Sequence, residues 1–307
     1  MSTYLIKGAS LLGERVADIL IEDGKIARIG QDLEAEDAQV VDASGQIALP
    51  GLVDIHTHLR QPGYEASETV ETGTRAAALG GYTAVFAMAN SLPVADTAAV
   101  VEQVDRLGKE SGWCRVQPIG SVTVGLKGEF LSDIGSMATS EAKVRVFSDD
   151  GMCVYDPAIM RRALEYVKTF DGVIAQHAQE PRLTEGAQMN EGKVSADLGL
   201  TGWPAVAEEA IIARDVLLAE HLNSRLHICH LSTKGSVEVV RWAKSRGVQV
   251  TAEATPHHLI LTDEKARTYD PIFKVNPPLR TEEDVLALRQ AVADGIIDVI
   301  GTDHAMV

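Results

Sequence analysis

Short apolar runs separated by turn residues fill the first fifty positions. Ala17–Glu22 (ADILIE) and Lys25–Gly30 (KIARIG) flank Asp23-Gly24, and two such segments around an Asp-Gly pair predict a β-hairpin. Gln39–Asp42 and Gln46–Leu49 read as further short strands before Pro50-Gly51 punctuates the chain. We place a boundary there, between a β-rich segment over 1–50 and a domain over 51–307. Beyond Gly51, apolar runs of strand length alternate with stretches of helical period, the mark of βα units and a parallel sheet. The candidate strands are Leu52–His56, Thr83–Met88, Arg115–Gly120, Lys143–Phe147, Val173–His177, Arg225–His230, Val248–Glu253 and Asp298–Thr302. Helices are predicted over Ser67–Leu79, Thr97–Glu110, Pro157–Thr169, Pro204–Leu222, Lys234–Ser245 and Glu282–Ala293. Pro204–Leu222 is the clearest, with a proline suited to a first turn and apolar residues at three- and four-residue steps. Eight strands with helices between them fit an α/β fold of the (β/α)8 TIM-like barrel type. On strand count alone a doubly wound sheet stays open. Thr184–Gly202, polar and Gly-rich, is predicted to be a long surface loop.

Composition narrows the partners. The 307 residues carry a formal net charge of −16, which argues against a phosphate-tracking, nucleic-acid-binding surface. Hydrophobic residues make up 45% and charged residues 23%, a globular mix. No apolar run is long enough to span a bilayer, and the N-terminus lacks the pattern of a secretory signal. Three cysteines, Cys114, Cys153 and Cys229, form no disulfide framework and suit a reducing cytoplasm.

Ligand-type side chains fall at the end of one predicted strand after another. His56 and His58 close the first, Asn90 follows the second, and Asp149-Asp150 follow the fourth. His177 ends the fifth, His230 ends the sixth and Asp303 follows the eighth. In a barrel these ends converge on one rim, where active sites are built. His56 and His58 stand two apart, so on a strand both point the same way and can share an ion. Imidazole with carboxylate suits zinc or a similar divalent metal. Four histidines and two aspartates exceed one tetrahedral site with an open position. Two metals about 3.5–4 Å apart, bridged by a carboxylate and a hydroxide, would use the whole set. Asp303 is then a candidate proton shuttle between the bridging water and a leaving nitrogen.

Arg60 lies two residues past His58, on the same face if the strand continues, and its fork suits a substrate carboxylate. A solvated surface arginine is the plain alternative. Asn90 and Asn276 can add neutral hydrogen bonds, although Asn276, ahead of Pro277-Pro278, also reads as a turn residue. His227 points away from His230 and reads as a packed side chain. Cys229 likewise faces away from His230 and reads as a small buried hydrophobe. His257 and His258 follow Pro256 beyond the seventh strand; they could line the rim, but a structural role is favoured. Lys143 and Arg145 read as charges on the fourth strand.

The motifs resemble those of type I dihydroorotases in the amidohydrolase superfamily. LPGLVDIHTHLRQPGYE is similar to the first-strand signature of that class, and FSDDG, HLST, TAEATPHHLILTDE, KVNPPLR and GTDHA resemble its later blocks in the same order. By that resemblance His56 and His58 bind one zinc with Asp303, Asp150 bridges, and His177 and His230 hold a second zinc. Asp149 is the competing member of its pair, and occupancy is one or two ions. Many relatives bridge with a carbamylated lysine instead. Arg60, Asn90 and Asn276, with the neighbourhood of His58, match positions that bind the substrate carboxylate. The implied reaction is the reversible closure of N-carbamoyl-L-aspartate to (S)-dihydroorotate and water, the third step of pyrimidine synthesis. A metal-bound hydroxide attacks the ring amide in the hydrolytic direction, and Asp303 carries the proton to the departing nitrogen. The resemblance implies a cytoplasmic enzyme and allows a homodimer or an assembly with aspartate transcarbamoylase. The alternatives are a hydantoinase or allantoinase, which share the HxH barrel, and a non-catalytic scaffold partner of aspartate transcarbamoylase.

In that class the GTDHA block runs on to a proline and a further histidine, and N-terminal strands pair with C-terminal ones in a small β-sandwich. Here Met306-Val307 follow GTDHA. The expectation is a truncated form of a longer enzyme, lacking the last barrel helix and leaving N-terminal strand edges open.

Overall fold

The structure, a computed structural model, describes residues 2–306. The chain forms two compact units that divide between Leu52 and Val53. The first unit is one sheet. β1 (Thr3–Leu11), β2 (Arg15–Glu22) and β3 (Lys25–Gly30) form an antiparallel meander, while β4 (Gln39–Asp42) and β5 (Ile47–Ala48) pair with β1 in parallel. The β2–β3 connection is the hairpin that Asp23-Gly24 predicted. Both residues have positive φ, 50° and 74°, as a type I′ turn requires. The hydrophobic pattern did not mark β1, although it pairs with β2, β4 and β5. A register shift between Ile6 and Ala9 interrupts its two-residue period, which is what a bulge does.

The second unit is α/β. Strand and helix alternate through β6 (Leu52–His58), α1 (Val70–Leu79), β7 (Tyr82–Ala87), α2 (Ala98–Ser111), β8 (Arg115–Pro118), α3 (Ile134–Thr139), β9 (Val146–Phe147), α4 (Pro157–Val167) and β10 (Val173–Gln176). Two short strands, β11 (Met189–Asn190) and β12 (Gly202–Trp203), bracket α5 (Lys193–Leu198). The alternation resumes with α6 (Val206–Leu222), β13 (Leu226–Ile228), α7 (Lys234–Ser245), β14 (Val250–Ala254), α8 (Pro256–Ile260), α9 (Glu282–Ala293), β15 (Val299–Ile300) and β16 (His304–Ala305). One sheet runs β15-β14-β13-β10-β9 and another β16-β6-β7-β8. A bridge between Gly120 and Phe147 links the end of β8 to β9. The chain steps from the β14 edge at β15 to the β6 edge at β16, where His304 and Ala305 pair in parallel with Thr57 and His58.

Helix positions follow local chemistry. Thr233 and Thr281 accept hydrogen bonds from Ser236 N–H (3.0 Å) and Asp284 N–H (3.4 Å), and these N-caps start α7 and α9 where the sequence placed them. Val101, Leu164, Ile212, Val240 and Leu288 bury the inner helix faces in one core with Phe147, Ile174, Leu226 and Ile228 from the strands. Burying side chains of this size stabilises by about 1.5–3 kcal/mol each. No described helix is long and apolar enough to cross a membrane.

Two expectations need correction. Thr184–Gly202 is not a plain surface loop: it contains β11 and α5, and Met189, Asn190 and Val194 are buried. Its glycines include a packing residue, since a Cβ on Gly202 would lie 2.6 Å from the Glu191 backbone. The strand predicted over Lys143–Phe147 shrinks to β9. Lys143 takes a φ of 47°, and the Arg145 guanidinium turns back to donate to the carbonyls of Ala138 (2.7 Å) and Val144 (2.8 Å).

Candidate metal centre

The carboxyl ends of β6, β10 and β13 bring four imidazoles around one carboxylate. His56 and His58 are buried at the end of β6, and strand alternation turns both toward the same side. Asp150 Oδ2 lies 3.4 Å from His56 Nε2 and 3.3 Å from His58 Nε2. Its Oδ1 lies 3.2 Å from His230 Nε2 and 3.6 Å from His177 Nδ1. Asp303 Oδ1 adds contacts of 3.0 Å to His58 Nε2 and 3.4 Å to His56 Nε2. His230 and Asp303 both have positive φ, 30° and 54°, uncommon for residues with a side chain. These kinks carry the chain out of its strands and aim both groups inward. The Asp303 N–H donates to the His56 carbonyl at 3.0 Å, tying the last segment to β6.

Three of the four outer ring nitrogens are spoken for. His58 Nδ1 pairs with Asn90 Oδ1 (2.8 Å), His177 Nε2 with Gln179 Oε1 (2.8 Å), and His56 Nδ1 with the Glu253 carboxylate. An acceptor at one ring nitrogen keeps the proton there and leaves a lone pair on the other. His177 Nδ1 and His230 Nε2 face each other at 2.9 Å, and His56 Nε2 is buried with no hydrogen-bond partner. Lone pairs converging on a carboxylate in a buried place call for a cation. The donor atoms of His56, His58 and Asp303 lie within 4.8 Å of one another, as do those of His56, Asp150 and His230. The residues therefore fit a divalent metal with nitrogen and oxygen ligands.

Electrostatics separate the two adjacent aspartates. Burial opposes a charge on Asp150, but the imidazoles of His56, His177 and His230 around it hold its carboxyl well below the usual range. Asp303 is also lowered, with burial outweighed by His58 and His56. Asp149 points the other way. It accepts from Val122 N–H (2.7 Å), Thr123 N–H (3.0 Å) and the Thr123 hydroxyl. Burial pushes its carboxyl up to about 6 against those bonds.

A cavity of about 520 Å³ opens beside the histidines, lined by Arg60, Asn90, His257, Asn276 and Asp303 among others. Arg60 reaches it by a different route from the one expected. β6 ends at His58 and Arg60 turns with a φ of 59°, its Nε donating to the Met306 carbonyl at 2.8 Å. Of the histidine pair after Pro256, His258 is structural: its ring meets Thr255 Oγ1 (2.7 Å) and the Pro277 carbonyl (3.0 Å). His257 departs from the structural reading, since it lines the cavity and its buried Nε2 has no partner. His227 is packed against Thr251 Oγ1 (2.8 Å) and Glu253. Cys229 is buried with Met88, Ile119 and Ala175. Sequence reasoning passed over Glu253 and Gln179 and favoured a structural role for His257. A glutamate inside the apolar strand VTAEA, and a glutamine two residues past His177, were the available signals.

Known proteins share this framework. Residues 45–236 match the model of the dihydro-orotase-like family. The dihydroorotase of Streptomyces coelicolor is 70% identical over 305 residues, covering 99% of this chain and 71% of that protein. That of Mycobacterium tuberculosis is 58% identical over 294 residues, covering 95% and 68%. Among solved structures, L-hydantoinase (dihydropyrimidinase) from Arthrobacter aurescens superposes with a TM-score of 0.82 at 26% identity, covering 99% of this chain and 69% of that one. Dihydropyrimidinase from Brevibacillus agri has a TM-score of 0.79 at 23% identity with the same coverage, a likeness of fold. An α/β fold with parallel sheets, a histidine and aspartate cluster at its strand ends and these identities agree: the chain belongs to the dihydro-orotase-like family.

Proposed function

We propose that this protein is a dihydroorotase, a cytoplasmic cyclic amidohydrolase that interconverts dihydroorotate and N-carbamoyl-L-aspartate. The observation that carries the reading is the Asp150 carboxylate with two imidazoles at each oxygen, beside a cavity that also holds Arg60, Asn90 and Asn276. We read the two parallel sheets as one (β/α)8 barrel, with the site at the carboxyl ends of its strands. His56, His58 and Asp303 would hold one cation and His177 and His230 a second, with Asp150 between them. Zinc suits these donors, and when bound it supplies a lowered pKa for water and a polarised carbonyl.

The remaining steps belong to the chain's own residues. Asp303, held ionised by its histidine neighbours, accepts the proton of the attacking water and returns it to the departing amide nitrogen. One carboxylate thereby serves as base and then, protonated, as acid. Arg60 spends Nε on the Met306 carbonyl and keeps the rest of its fork for the substrate carboxylate. Asn90 accepts from His58 with Oδ1, leaving its amide N–H groups to donate to the same carboxylate with Asn276. His58 is thus linked through Asn90 to the substrate grip.

The test is hydrolysis of dihydroorotate, hydantoin and allantoin side by side, together with bound-metal content, for the chain and its Asp150→Ala and His177→Ala variants. Preference for dihydroorotate, lost with metal in both variants, is expected. Preference for hydantoin or allantoin would overturn the substrate assignment, and unchanged variants would overturn the site.

A further inference from the structure

We propose that Glu253 is the positioning residue of the metal centre. This single buried carboxylate on β14 orients His56 on β6 and seats His230 after β13, and so sets the spacing between the two histidine pairs. The inference rests on the reading that these histidines hold divalent cations.

Glu253 is 1% exposed. Its Oε1 meets His56 Nδ1 and accepts the backbone N–H of His230 at 3.0 Å. Its Oε2 lies 3.4 Å from His227 Nε2, and the other nitrogen of that ring is 2.8 Å from Thr251 Oγ1. The carboxylate is therefore braced from the side opposite the cage. A carboxylate can accept about four hydrogen bonds, so it can serve all three partners at once.

Each bond has a separate consequence for the cage. The contact to His56 keeps the proton on Nδ1, so the orphaned Nε2 faces Asp150 and Asp303 as a lone pair. The bond to His230 falls on a residue whose φ is 30°. Such a conformation is costly for a residue with a side chain and persists only when its surroundings hold it. The next N–H, of Leu231, donates to the Glu253 backbone carbonyl at 2.9 Å, so both amides of the kink end on one residue. Room for the carboxylate depends on Gly301. A Cβ there would lie 2.8 Å from Glu253 Oε2 and 3.2 Å from His56 Cβ, which gives the glycine opening GTDHA a steric reason.

The experiment measures zinc affinity by chelator competition, and the visible spectrum after cobalt substitution, beside thermal melting. Glu253→Gln keeps the volume but offers acceptors to only part of the set. It should fold and bind zinc about 10–100-fold more weakly, with a shifted cobalt spectrum. Glu253→Asp, which keeps the charge and withdraws it by one methylene, should recover part of the affinity. His227→Gln, touching only the outer brace, should stay within about twofold of the wild type. A folded Glu253→Gln chain with wild-type affinity and spectrum overturns the proposal. If that variant fails to fold, Gly301→Ala decides, because it crowds the same carboxylate without removing it: weakened binding supports the proposal and unchanged binding overturns it. A wild-type chain that binds no zinc overturns the metal-centre reading instead, so the two failures are distinguishable.

Discussion

Asp149 and Asp150 are adjacent in the chain and enter two regions that treat a negative charge in opposite ways. Both are buried, at 1% and 4% exposure, so burial does not separate them. Asp150 enters the histidine cage, where imidazoles surround it and hold its carboxyl low. Asp149 enters the loop that begins at Val122, where only neutral dipoles reach it and burial raises it to about 6. The loop uses its carboxylate as a staple for backbone N–H groups. The cage collects more lone pairs than it has protons to satisfy. That surplus, rather than the buried acid itself, marks the functional region.

The strongest way to break this contrast is Asp150→Asn. Loss of the shared carboxylate should lower kcat/KM for dihydroorotate by about a thousandfold or more and reduce bound zinc. Steady-state kinetics and metal analysis check it, and near-normal activity would erase the distinction between the two regions. Next is Asp149→Asn, read by urea unfolding across pH. The folded pKa of Asp149 is raised to about 6 above an unfolded value near 4. Its stabilisation is therefore present below about pH 4 and lost as pH rises through 6. The amide has no such dependence, so wild-type stability relative to the variant should fall by about 3 kcal/mol between pH 4 and 7. Activity at pH 7 should change little.

The histidine pair after Pro256 repeats the contrast on a smaller scale. His258→Ala abandons two buried bonding partners, Thr255 and Pro277, and should cost about 2–3 kcal/mol. His257→Ala, whose Nε2 has no partner to lose, should cost under about 1 kcal/mol. Thermal melts of the two variants compare them directly. Between those two in size is the effect expected from Gln179→Ala, which frees the outer nitrogen of His177. Zinc affinity should fall by about tenfold, with the melting temperature of the metal-free chain unchanged.

The local part of this molecule was open to reading from residue order. The Asp23-Gly24 hairpin, α7 and α9 depend on neighbours within a few positions, and those neighbours carry their own turn and cap chemistry. The shared direction of His56 and His58 follows from alternation along one strand. The register shift in β1 and the packing glycine at Gly202 broke patterns that assume regular elements. Arg60 entered the cavity through a positive φ instead of a continued strand. Glu253 escaped notice because its meaning depends on His56, 197 residues away.

Residue identity and spacing were enough to assign the alternating architecture and to nominate the histidines and aspartates, because periodicity and ligand chemistry act over short stretches of chain. Which of Asp149 and Asp150 meets the imidazoles, and which nitrogen of each ring turns inward, depended on where distant strands end relative to one another. That placement comes from long-range packing and hydrogen bonding, and no local pattern encodes it.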